Sequence, residues 1–157
     1  MKSPTILVAA LAVTAIALLP NPTQAAGAMM LTDTTALITL EFSLTAAEAV
    51  HQVPVLASST VGYFDRVNVV GYQLAGAEIA SVSALVLNGS PIQDARYQIQ
   101  TNTTEHFTVL IIATLSEPLT NSLTASLTKI PYWRDGSRTT THQNQLDQLT
   151  VATVSAQ

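Results

Sequence analysis

The residues best suited to molecular recognition lie close together in the last third of the chain. Tyr132-Trp133-Arg134 precedes the dipeptide Asp135-Gly136, and Arg138 follows it. Asp-Gly is the dipeptide that a type I′ β-hairpin turn prefers, so Trp133 and Arg138 are expected diagonally close on paired strands, where the guanidinium can stack on the ring. Tyr, Trp and Arg also dominate binding hot spots. The candidate binding residues are therefore Tyr132, Trp133, Arg134 and Arg138.

A structural interpretation of the same hairpin stands beside the functional one. The chain contains a single Trp, and a lone Trp in a small β domain usually packs in the core. Under this interpretation Trp133 closes one end of the core and the arginines remain solvated.

A second candidate surface is the first amphipathic strand, from Ala36 to Thr45. Its apolar residues alternate strictly with polar ones and share one face; they are Ile38, Leu40, Phe42 and Leu44. Exported pilin-like subunits donate strands of this kind to a neighbour, since main-chain hydrogen bonds give affinity and alternate side chains fill pockets. Strand exchange is therefore a candidate function for this strand, although any first strand of a sandwich has the same pattern and the chain's own sandwich is the favoured interpretation.

Familiar catalytic and metal-binding motifs are absent from the sequence. There is no G-x-S-x-G, H-E-x-x-H, P-loop or G-x-G-x-x-G motif, and there is no Cys. Glu105 and His106 are adjacent, but neighbours in a strand point to opposite faces and would not share a substrate. The three histidines lie far apart in sequence. We therefore predict no enzyme activity, no metal site and no cofactor.

The N-terminal segment predicts export from the cytoplasm. Lys2 is followed by an apolar stretch over 6–19, interrupted only by Thr14, and then by Pro20 and Pro22. Small residues around position 25 complete a secretory signal peptide over 1–25, with a second cleavage option after Ala28. The apolar stretch is shorter than the roughly 20 residues that span a bilayer. The mature chain is thus expected in the periplasm, at the cell surface or outside the cell, without a transmembrane segment.

Composition narrows the class of partner. The mature chain would hold 132 residues, with five basic residues against ten acidic ones, since Lys2 leaves with the signal peptide. A formal net charge of −5 argues against nucleic acid and against an anionic membrane surface. Without Cys, the fold must be held by core packing or by a partner strand.

Turn signals divide the remaining sequence into seven or eight short strands. The stretch from Phe107 to Leu115 is almost wholly apolar, which predicts a central strand buried on both faces. Tyr63 to Leu74 and Ile92 to Gln100 each predict one strand, and Thr45 to Glu48 has the form of a helix capping box that could start one helical turn. The pattern predicts an all-β fold, a single antiparallel β-sandwich of immunoglobulin-like type over 26–138, with 139–157 as a polar tail or a terminal strand.

These observations favour an exported, non-enzymatic structural or adhesive surface subunit that assembles by β-strand exchange. The alternative is a periplasmic or secreted binding module that recognises a protein or a glycan through the aromatic and arginine-bearing hairpin. A hydrolase with an unrecognised site ranks third. A protein partner or self-assembly is expected in the first case, and no nucleic acid in any case.

Overall fold

A computed structural model describes residues 27–59, 68–142 and 151–156. These residues form β-strands joined by turns and contain no helix. The strands are β1 (Gly27–Thr32), β2 (Thr35–Ala46), β3 (His51–Pro54), β4 (Ala57–Ser59), β5 (Val70–Ala75), β6 (Ile79–Leu87), β7 (Ile92–Gln93), β8 (Arg96–Ile99), β9 (Thr103–Leu115), β10 (Ser122–Arg134), β11 (Ser137–His142) and β12 (Val151–Ser155). The all-β prediction is confirmed for this part of the chain.

The strands form two sheets in a sandwich-like arrangement. The first sheet has the order β1-β2-β9-β6 and is antiparallel throughout. Strand β2 pairs with β9 from Thr35 to Ala46, while β1 covers its other edge. The strand predicted from the alternating pattern therefore lies inside the sheet, and β9 lies centrally beside it, as its two-sided apolar sequence predicts.

The second sheet is organised around the long strand β10. Its first half pairs with β5 and β12, and its second half pairs with β3 and β11. Strands β8 and β7 continue the sheet beyond β3, and β4 adds a short parallel pair to β5. A register shift between Leu127 and Lys129 separates the two halves. One strand thus joins the half that pairs with β5 and β12 to the half that carries the Asp135-Gly136 hairpin.

The core lies between the two sheets and contains an aromatic group. Phe42 of β2 stacks on Phe107 of β9 with ring centroids 4.9 Å apart. Tyr97 of β8 tilts against Phe107 at 5.9 Å, and its hydroxyl donates a 2.7 Å hydrogen bond to the Val86 carbonyl of β6. Since β8 belongs to the second sheet and β6 to the first, Tyr97 links the two sheets by both packing and a hydrogen bond.

The outer face of the first sheet is partly apolar as well. Leu37, Leu110 and Ile112 form a small buried cluster there, separate from the core between the sheets. Leu110 and Ile112 face away from Val109 and Ile111, because successive strand residues alternate between faces. Strand β9 is therefore buried on both sides, and the prediction for it is confirmed.

Two local predictions are wrong. The Thr45 to Glu48 segment does not start a helical turn, because β2 continues to Ala46 in register with β9 and a bend follows. Residues 92–100 do not form one strand. They fold into the β7–β8 hairpin, with its turn at Asp94 and Ala95, where φ is 51° and 58°.

Some predictions fall wholly or partly outside the described ranges. The signal peptide over 1–25 and the beginning of the strand expected from Tyr63 belong to this group. Of that expected strand, the structure describes β5, which begins at Val70. Beyond Arg138, both β11 and the terminal strand β12 pair with β10.

Candidate functional site

The β10–β11 hairpin forms as its sequence predicts. Asp135 and Gly136 have φ values of 48° and 76°, and the two positive values are those of a type I′ turn. Trp133 lies directly opposite Arg138 in the antiparallel register. Directly paired residues of a sheet share one face, so the turn places both side chains on the same side.

Trp133 lies on the outer face of the second sheet. After the register shift in β10, Ile130 and Tyr132 point toward the core between the sheets, and Trp133 points away from it. Its side chain is nevertheless only 7% exposed. The ring is covered, but it does not close the core, which differs from the structural interpretation of a lone Trp.

The side chain of Arg96 stacks on one face of the ring. Its guanidinium carbon lies 3.7 Å from the Trp133 ring centroid, which is cation–π stacking. The Nη1 atom of Arg96 also donates a 3.2 Å hydrogen bond to Oε1 of Gln52. The sequence-based expectation that Arg138 stacks on Trp133 therefore assigned the stacking to the wrong arginine, since Arg96 of β8 reaches it across β3.

Two glutamine amides extend this arrangement. Gln52 faces Trp133 on one side and Gln98 on the other. Its Nε2 donates to Oε1 of Gln98 at 3.0 Å, and Nε2 of Gln98 donates to the Arg96 carbonyl at 3.4 Å. The resulting group is called the outer-face cluster below. It comprises Gln52, Arg96, Gln98, Trp133 and Arg138.

The other two predicted hairpin residues lie elsewhere. Tyr132 faces the opposite side of the sheet and stacks on His51, with ring centroids 5.4 Å apart. Nδ1 of His51 donates a 2.8 Å hydrogen bond to the Ala49 carbonyl, which fixes the ring. Arg134 forms an exposed ion pair with Glu48 at 2.5 Å. The structure therefore brings together Trp133 and Arg138 but not Tyr132 and Arg134.

The predicted exchange strand, β2, pairs with strands of its own chain in this structure. Ile38, Leu40 and Phe42 are almost completely buried in the core, and Leu44 is half-buried at its margin. These side chains face the second sheet while the backbone pairs with β9 and β1.

The acid and imidazole groups of the first sheet do not converge on a site. Glu105 accepts a 3.4 Å hydrogen bond from Nδ2 of Asn88, whereas exposed His106 lies on the outer face. Near His106, burial raises the pKa of Glu41 above its usual value, and the imidazole partly offsets the effect. Among the described residues no group of three or more His, Asp or Glu side chains could hold a metal ion.

Comparison of the chain with protein-family models, curated proteins and solved structures gives no match. In the part of the chain that the structure describes, no helix is long and apolar enough to cross a membrane.

Sequence reasoning missed three members of the outer-face cluster. Gln52, Arg96 and Gln98 lie 81, 37 and 35 positions before Trp133 in the numbering, and no local motif connects them. Their alternation with the buried residues Val53, Tyr97 and Ile99 is a period-two signal that places them on one face. That signal does not say which strand β3 pairs with.

Proposed function

We propose that this chain is an exported, non-enzymatic surface subunit on an immunoglobulin-like sandwich, and that its adhesive role depends on the outer face of the second sheet. The outer-face cluster supports this proposal best. It combines the chain's single Trp with two arginines and two amides on one side of adjacent strands. Binding hot spots favour Arg, and Trp133, which is itself only 7% exposed, holds the Arg96 guanidinium in place by stacking.

The position of Arg96 is the observation that carries the proposal. If Trp133 served only stability, its ring would be expected between the sheets, where apolar groups are available. Instead the ring lies on the outer face beneath a guanidinium that has no carboxylate partner among the described residues. By contrast, Arg134 on β10, two strands from Arg96, forms an ion pair with Glu48. The difference favours a recognition role for Arg96.

An array of glycans and extracellular proteins, probed with the fluorescently labelled mature chain, tests the proposal. We expect binding to at least one class of ligand. Arg96→Gln should weaken the affinity about tenfold or more, which corresponds to about 1.4 kcal/mol of binding free energy. Arg134→Gln is the matched control, because it removes an arginine one residue from Trp133 that faces away from the cluster. A blank array, or binding that Arg96→Gln leaves unchanged, would contradict the proposal.

Assembly by β-strand exchange is the second candidate. The support for it is that β2 contributes Ile38, Leu40 and Phe42 to the core and would contribute the same contacts if a neighbouring chain supplied it. Light scattering after size-exclusion chromatography, over a range of protein concentrations, separates the candidates. Concentration-dependent multimers would support exchange, whereas a monomer at every concentration would leave the outer-face cluster as the basis of function.

A further inference from the structure

We propose that the outer-face cluster binds a carboxylate-bearing saccharide and that Arg96 is the residue that binds the carboxylate. This inference rests on the proposed adhesive function and names the ligand class for the same face.

Arg96 is held in place with hydrogen-bonding capacity to spare. The Trp133 ring supports the guanidinium on one side, and Gln52 accepts one of its hydrogen bonds. A guanidinium carries five N–H donors, and the contacts described for Arg96 include no carboxylate. Because stacking already restricts the side chain, less conformational entropy is lost when a ligand binds.

The chemistry of a stacked guanidinium favours an oxyanion. A ring beneath one face leaves the N–H groups directed outward in the guanidinium plane, where two parallel N–H groups match the two oxygens of a carboxylate. Arg138, exposed and opposite Trp133, adds a second positive charge on the same face. It too lacks a carboxylate partner among the described residues. The acidic residue nearest in sequence to Arg96 is Asp94, and the one nearest to Arg138 is Asp135. Both lie in exposed turns.

The amide side chains of the cluster favour a saccharide as the molecule that carries the carboxylate. Gln52 and Gln98 are half-buried, and Gln93 is exposed directly opposite Arg96 on β7. Each amide has two donor hydrogens and an oxygen with two lone pairs, so the hydrogen bonds that join Gln52 to Gln98 do not exhaust them. Sugar hydroxyls, which both donate and accept, fit such groups.

The position of the cluster within the sheet argues against an extended peptide. Peptides commonly add to a sheet at a free edge, where unpaired backbone groups are available. At the cluster, β10 and β3 are paired on both sides, so the face offers side chains alone. From Arg138 across Trp133 and Gln52 to Gln98 is three interstrand steps, about 14 Å at about 4.8 Å a step. That length accommodates several sugar rings.

Isothermal titration calorimetry with defined probes tests the inference. The probes are an oligogalacturonate, its methyl ester, a sulfated oligosaccharide and a poly-aspartate peptide. We expect the oligogalacturonate to bind and the methyl ester to bind at least about tenfold more weakly. Arg96→Lys keeps the charge but loses the planar pair of donors, so we expect a loss of about tenfold, against no change for Arg134→Gln. Gln52→Ala removes an amide of the cluster and should also weaken oligogalacturonate binding, against no change for Gln73→Ala, an exposed glutamine of β5 outside the cluster.

Each of the other outcomes would overturn a different part of the proposal. Equal binding of the acid and its ester would overturn carboxylate recognition while leaving an adhesive face in place. Stronger binding of the sulfated probe or of poly-aspartate would replace the ligand class by a sulfated glycan or an acidic protein. Binding that Arg96→Lys leaves unchanged would remove Arg96 from the site. If no probe binds and the array is also blank, the proposed function itself fails.

Discussion

A pair of aromatic rings in the core and a single Trp on the outer face are both almost hidden from solvent, and they stack on different kinds of neighbour. Between the sheets, Phe42 and Phe107 stack on each other at 4.9 Å and are each 1% exposed. On the outer face, Trp133 is 7% exposed, yet the group above it is the charged side chain of Arg96. Similar burial therefore accompanies apolar ring stacking in one place and stacking with a cation in the other.

The comparison shows that the covering group, rather than the degree of burial, separates a core from a candidate site. Phe107 cannot exchange its neighbours without opening the sandwich, since its contacts come from both sheets. The guanidinium above Trp133 can accept a new anionic partner while its stacking stays intact, because its N–H groups lie in its own plane. The free energy of unfolding should therefore fall more for a substitution in the core pair, whereas the stacked pair should show a smaller coupling energy.

The largest effect is expected at the centre of the core. Phe107→Ala removes a ring that contacts both Phe42 and Tyr97, and truncations of this type cost about 3–5 kcal/mol. Urea unfolding of the two variants and the unsubstituted protein measures the loss. The control is His106→Ala, next in sequence but exposed on the opposite face, for which we expect a change within about 0.5 kcal/mol. Equal losses for the two variants would contradict the placement of β9.

A smaller effect is expected from the stacked pair. In a double-mutant cycle of Arg96→Ala and Trp133→Ala, the coupling energy should be about 0.5–2 kcal/mol, the range of a cation–π contact. Unfolding free energies of the four proteins supply it. The cycle of Arg138→Ala with Trp133→Ala serves as the comparison, since the structure stacks Arg96 on the ring. A larger coupling to Arg138 would restore the arrangement that the hairpin sequence alone predicts.

The smallest effect at neutral pH concerns the link between the sheets. Tyr97→Phe keeps the ring but removes the hydroxyl that donates to the Val86 carbonyl, which should cost about 0.5–1.5 kcal/mol. Burial also raises the pKa of Tyr97 above its usual value of about 10. The unfolded chain therefore loses this proton first, and the stability present below pH 10 is lost as pH rises through the raised pKa.

Unfolding free energies at about pH 8 and about pH 11 test the pH dependence. The native protein should lose more stability across this interval than Tyr97→Phe does. Tyr132→Phe is a matched tyrosine control. Parallel losses in the native protein and in Tyr97→Phe would show that the Tyr97 hydroxyl titrates alike in the folded and unfolded chains.

Much of the first sheet could be predicted from local sequence. Strict alternation located β2 to within a residue at each end, and the apolar run from Phe107 placed β9 at the centre. The Asp135-Gly136 turn was equally local, because a type I′ turn depends on two residues. In each case one period or one dipeptide decides the outcome.

The outer-face cluster could not be predicted in the same way. It exists because β3 pairs with β8 on one side and with the end of β10 on the other. Those pairings join residues near positions 52, 97 and 133, and no periodicity within one segment encodes them. The capping box at Thr45 failed for a related reason, since pairing with β9 overrides a weak local helix signal.

The long ladder between β2 and β9 has a consequence for how the chain reaches its folded state. Thr35 pairs with Thr114 and Ala46 with Thr103, so a large loop must close before the first sheet can form, and such non-local pairing slows folding. During synthesis, Ile38, Leu40 and Phe42 emerge well before β9, and at that stage only the short strand β1 is available to pair with β2. The apolar stripe of β2 is therefore the segment most in need of a holding chaperone while synthesis continues.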